Sequence, residues 1–155
     1  MPQYLAELNI ARVRADMSDP QMRGFVEGIE PVNALAEQSP GFVWRYIDGT
    51  AADQNYAPTP WDDQFIVNLS VWQDWPSLKA FMFGDLHAYY MKGRREWFHP
   101  MDTPHSCLWW VDAGHRPSLQ EAKAKLDQLT ADGPSDEVFT MAWLNRGQAV
   151  QNPAT

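Results

Sequence analysis

An α+β domain with the element order β-α-β-β-α-β is predicted by three features of this 155-residue sequence. Apolar residues alternate along 4–13, 42–47, 65–72 and 105–111, the period of a pleated strand. Apolar residues recur at helical spacing along 20–38 and 76–98. The interval 48–63 has neither period and contains Gly49, Pro58 and Pro60, so it reads as a long polar loop between two strands. A ferredoxin-like sandwich satisfies this order with one antiparallel sheet and both helices on one side.

The first strand places Tyr4, Ala6, Leu8 and Ile10 on one face and Leu5, Glu7 and Asn9 on the other. Ser18-Asp19-Pro20 supplies a capping residue and a proline at the first helical position. Pro31 lies inside the helix that follows and leaves the Glu27 carbonyl without its donor, which predicts a kink there. Ser39-Pro40-Gly41 ends it. In the second strand Phe42, Trp44 and Tyr46 alternate with Val43, Arg45 and Ile47. The second helix opens at Pro76, bends or restarts at Gly84-Asp85, and is expected to continue through Phe98. Beyond the fourth strand, Ser118 caps a helix over 119–129 whose buried stripe is Leu119, Ala122, Leu126 and Leu129. A short last strand is expected over 138–144. One domain thus spans 1–147, with a frayed tail over 148–155.

Strands with apolar side chains on both faces need cover on the side away from the helices. A second copy of the chain is the simplest source, which predicts a homodimer with sheets facing each other. Hydrophobic residues make up 45% and aromatics 13%, enough to fill both a core and an interface. The net charge of −8 argues against nucleic acid, because the densest basic run, Lys92-Gly93-Arg94-Arg95, is followed at once by Glu96. No segment approaches the ~20 apolar residues that span a bilayer, so no membrane partner is expected. Met1-Pro2-Gln3-Tyr4 lacks the features of a signal peptide, and a cytoplasmic location is expected. Cys107 is the single cysteine and reads as an inert buried thiol.

Three blocks carry a family likeness. They are Asn33-Ala34-Leu35-Ala36-Glu37 with Ser39-Pro40-Gly41-Phe42-Val43-Trp44-Arg45; Val71-Trp72 through Leu78-Lys79-Ala80-Phe81 and His87 to Arg94-Arg95-Glu96-Trp97-Phe98; and Leu108-Trp109-Trp110-Val111 with Gly114-His115-Arg116-Pro117. In this order and spacing they resemble an uncharacterised bacterial family, domain of unknown function 3291, over nearly the whole chain. That family is similar to a branch of the dimeric α/β-barrel superfamily. Its relatives include cofactor-independent antibiotic-biosynthesis monooxygenases, haem-degrading monooxygenases and muconolactone-type isomerases. The resemblance implies a pocket between sheet and helices, and leaves the reaction open because one fold hosts many chemistries.

His87, Tyr90, Met91 and Arg94 fall at i, i+3, i+4 and i+7, one helical face. An imidazole exchanges protons near neutral pH and a guanidinium holds an anionic or enolate oxygen, so His87, Arg94 and Tyr90 are the candidate catalytic residues. Asn9, Asn68 and Ser70 are polar groups within apolar strands, and Asn33 is one on a proline-containing helix. Each needs a partner, which is either a neighbour or a ligand. Trp44, Trp72 and Trp97, with Met91, are candidate walls for an aromatic ligand. His99, His105 and His115 lack metal-ligand spacing, so no metal is expected. No Gly-rich phosphate loop, G-x-S-x-G or Cys-His motif is present.

Three functions fit. The leading one is an enzyme acting on a small hydrophobic or aromatic metabolite without a tightly bound cofactor, monooxygenase-like or else isomerase- or cyclase-like. The second is a haem-binding or haem-modifying protein, motivated by the available histidines and by Ala6-Glu7-Leu8-Asn9, which resembles the start of the haem-degrading type, where an asparagine points into the pocket. The third is a non-catalytic dimer that binds a ligand.

Overall fold

The computed structural model describes residues 2–47, 60–62 and 64–147. The long polar loop expected over 48–63 falls largely outside the described residues, and the tail expected over 148–155 falls wholly outside them. Among the described residues five strands form one sheet: β1 (Gln3–Val13), β2 (Phe42–Arg45), β3 (Phe65–Trp72), β4 (Phe98–His99) and β5 (Ser106–Asp112). β1 is central. It pairs antiparallel with β3 on one edge and with β5 and the two-residue β4 on the other, and β2 extends the sheet beyond β3. Without β4 this is the ferredoxin-like order that the sequence predicts.

Helices α1 (Arg23–Gln38), α2 (Trp75–Met82), α3 (Asp85–Met91) and α4 (Arg94–Trp97) occupy the first and third connections between strands, α1 the first and the others the third. Pro31 lies inside α1. Asp74 starts α2, its carboxylate accepting from the Ser77 amide at 2.9 Å, with a proline in the first turn. The single helix expected over 76–98 is three. The predicted restart at Gly84 is there, and a second break falls at Gly93. A Cβ at Gly93 would lie 2.5 Å from the Trp97 ring, so this turn is built around an absent side chain. Phe98 and His99 then leave the helix to pair with Val13 and Arg12.

The two faces of β1 serve different layers. Leu5 joins Trp72, Leu78, Leu108, Phe139 and Leu144 on the side of α1 and α2. Ala6, Leu8 and Ile10 join Leu69, Val71, Cys107, Trp109 and Val111 on the other. That second face is partly covered by the chain's own α5 (Leu119–Asp132), through Leu119, Ala122, Leu126 and Leu129. The stripe is the predicted one, and its destination corrects the expectation that a second copy supplies all the cover. Cys107 is buried, and burial raises its thiol pKa far above the ordinary range.

The strand expected over 138–144 is also corrected. Phe139 exchanges both backbone hydrogen bonds with Leu108, each 2.9 Å, and the pairing stops there. Thr140 then caps α6 (Met141–Asn145), its hydroxyl accepting from the Trp143 amide at 3.1 Å. A good capping residue directly after an apolar pair ends the extended run. No helix among the described residues is long and apolar enough to cross a membrane.

Candidate functional site

Between the sheet and α1–α3 lies a cavity of about 780 Å³, within the range of small-molecule sites. Its polar floor comes from strand register. β1 and β3 set Glu7 opposite Ser70 and Asn9 opposite Asn68, and the pleat turns all four toward the helices. The Asn9 side-chain amide donates to Glu7 Oε1 at 2.6 Å. The Ser70 hydroxyl lies 3.4 Å from Glu7 Oε2 and accepts from the Trp72 indole N–H at 3.0 Å. The Asn68 amide donates to Asn9 Oδ1 at 3.3 Å. Neighbours on the same face thus satisfy one another, and their remaining lone pairs and N–H groups line the cavity.

Glu7 is the chemically unusual member. It is 4% exposed, the sole buried charged residue among those described. Burial raises its pKa to about 7, and the hydrogen bonds from Asn9 and Ser70 offset only part of that. Near neutral pH it therefore exists in both protonation states in comparable amounts, the condition for taking and returning a proton.

His87 enters from α3 and lines the cavity edge-on to Phe81, ring centroids 5.4 Å apart. Burial lowers its pKa and a hydrogen bond with the Met82 backbone partly offsets this. The imidazole is therefore predominantly neutral at pH 7. Met91 and Arg94 line the same cavity, although the break at Gly93 puts Arg94 on a separate helix from His87. Asn33 reaches the cavity from α1, and Trp72 stacks on Phe81 at 5.2 Å to form an aromatic wall.

The other candidates lie elsewhere. Tyr90 is absent from the lining. Its ring packs on Gly28 of α1, where a Cβ would fall 2.5 Å from it, so it joins α1 to α3. Trp97 is buried against Gly24, Gly93 and Phe25, also away from the cavity. Trp44 is displaced by a β-bulge. Phe42 pairs with Trp72 but Trp44 pairs with Val71, so the extra residue turns Trp44 to the α5 side and turns Arg45 toward the cavity. Strict alternation had assigned these two side chains the other way round.

Glu7, the residue of greatest chemical interest, was not among the sequence candidates, although it shares a face with Asn9. A carboxylate flanked by Leu5 and Asn9 on an inward face is a readable signal once the helices are known to close over that face.

A family model described as Domain of unknown function (DUF3291) matches residues 4–153, and the chain belongs to that family. A search of curated proteins finds no match. Solved structures similar to the chain include SnoaB of Streptomyces nogalater, a cofactor-independent oxygenase, at 15% identity and TM-score 0.47 over 75% of this chain and 97% of that one. NE2512 of Nitrosomonas europaea, a protein of unknown function, is similar at 13% and 0.48 over 75% and 96%. PA3566 of Pseudomonas aeruginosa is similar at 8% and 0.48 over 76% and 98%.

Proposed function

We propose that the cavity binds a small hydrophobic or aromatic molecule and removes a proton from it, with Glu7 as the base, in a monooxygenase-like reaction that needs no tightly bound cofactor. The observation that carries this is a buried carboxyl with a pKa raised to about 7 on the floor of a largely apolar cavity. Asn9 and Asn68 sit beside Glu7 and offer amide groups to a substrate oxygen, the atom on which charge grows as the proton leaves. Neutral His87 exchanges the proton with solvent. The substrate supplies the electrons. A carbanion at an activated CH₂ adds dioxygen, and the peroxide loses water to leave a carbonyl, so CH₂ and O₂ become C=O and H₂O. Should the proton instead return to another carbon, the same residues perform an isomerisation. The working unit is proposed to be a homodimer.

Oxygen uptake on a panel of hydroquinones and related acidic CH and OH compounds tests this. The wild type should consume oxygen with kcat/KM rising as the pH passes through about 7, and Glu7→Gln should lose ~100-fold or more. Turnover that survives in Glu7→Gln would overturn the role of Glu7. Product without oxygen uptake would favour isomerisation, and binding with no product the non-catalytic reading. A Soret band on haem titration that His87→Ala abolishes would favour haem.

A further inference from the structure

The chain carries a net charge of −8, yet its cavity is lined by Arg14, Arg45, Arg94 and Arg95, with Glu7 the one carboxylate among the described lining residues. Arg45 is already neutralised, with Glu37 at 3.1 Å. The other three gather where the end of β1 meets α4 and β4. Arg14 Nε donates to the carbonyls of Arg95 and Phe98 at 2.9 and 3.1 Å, which fixes its guanidinium against the backbone of that corner. Carbonyls orient a guanidinium and leave its charge in place. None of Arg14, Arg94 and Arg95 has a salt-bridge partner among the described residues, and His99 beside Arg14, at 3.5 Å, adds no negative charge. Three guanidiniums on one rim make it positive, and a ligand anion there accepts charge-assisted hydrogen bonds.

We infer that the ligand of this cavity is an amphipathic anion, whose apolar body lies against Trp72, Phe81 and Met82 and whose acidic head group is held by Arg14, Arg94 and Arg95. The inference rests on the reading of the cavity as the ligand site and adds the class of molecule that enters it. It also assigns Arg94 a binding role at the rim, distinct from the acid-base work at Glu7.

Two fluorescent probes with one body separate the two readings: 8-anilinonaphthalene-1-sulfonate and its uncharged parent N-phenyl-1-naphthylamine. The sulfonate should bind the wild type ~10-fold or more tightly than the parent, and each should displace the other. The double variant Arg94→Gln/Arg95→Gln should lose ~10-fold or more in sulfonate affinity, the worth of one charge-assisted hydrogen bond, and keep its affinity for the parent. Both arginines are exposed, so the variant is expected to fold, which its circular dichroism checks. Equal binding of the two probes, equal losses in the variant, or a sulfonate that does not compete with the parent would overturn the anion inference and leave the cavity reading standing. Failure of both probes to bind would overturn both.

Discussion

Glu7 is held in two conflicting ways: hydrogen bonds from Asn9 and Ser70 favour its charged form, and burial disfavours it more. Its ordinary value of 4.5 is raised to about 7, so between those pH values the folded chain keeps a proton that the unfolded chain has released. Stability therefore falls as the pH rises through that window, with no penalty below it and the full penalty, about 3 kcal/mol at most, above it. Glu7→Gln removes the charge and keeps an acceptor for Asn9. It should unfold at higher urea than the wild type at pH 8.5 and at nearly the same urea at pH 4.5. Identical midpoints at pH 8.5 would mean that Glu7 is not burdened by its site. His87 is the complementary case, half-buried on a helix that tolerates alanine. His87→Ala should leave the melting temperature within a few degrees and weaken ligand binding, with Arg94→Ala weaker in the same sense because Arg95 lines the same cavity. A large loss of stability with unchanged binding would make His87 architectural. The polar residues at Asn9, Asn68 and Ser70 were legible because they interrupt apolar strands. Glu7 was not, because a carboxylate in an alternating strand ordinarily faces water, and only the helices closing over it decide otherwise.

Among the elements, the sequence is clearest where one period runs unbroken. β1, β3 and α5 lie where alternation and helical spacing put them, down to the α5 stripe. It is least clear where one residue changes the count. The bulge between Phe42 and Trp44 leaves no mark in the apolar pattern, since aromatic residues fit either side, yet it exchanges Trp44 for Arg45 at the cavity. At the break at Gly93 the Trp97 ring occupies the space of a side chain, a contact between residues that periodicity does not weigh. The same principle joins α1 to α3. A Cβ on Gly28 would sit 2.5 Å from the Tyr90 ring, too close for either helix to keep its place. Gly28→Ala should therefore destabilise by about 1–3 kcal/mol, although alanine is the better helix former. Combining it with Tyr90→Ala, which frees the space, should destabilise by less than the sum of the two single changes. Strict additivity in thermal or urea unfolding would show that the two residues do not meet.

At the scale of the molecule, the described residues close only half of the open face of the sheet. α5 and Val138 cover β5 and the adjoining side of β1, whereas Trp44, Tyr46, Phe65 and Val67 on the far side are left partly exposed around the same core. They form an apolar strip on β2, β3 and the chain just after β2, packed against the same core as Val71 and Leu69, which are buried. A strip of this kind is the surface that a two-fold copy of itself would cover, each sheet supplying the cover that the other lacks. A homodimer of the kind suggested by strands apolar on both faces would then use one half of one face. A stable pairing should bury more than ~1,200 Å² in total. Sedimentation of the wild type at tens of micromolar should give a dimer. Val67→Arg, which places a charge in the middle of the strip at a site already reached by solvent, should give a folded monomer with an unchanged far-ultraviolet spectrum. The cavity lies on the opposite side of the sheet, so that monomer should still bind a ligand there. A wild type that sediments as a monomer would sink the dimer. A Val67→Arg dimer would move the interface away from this strip, toward the outward face of α1, where Val26, Ile29 and Leu35 are also exposed.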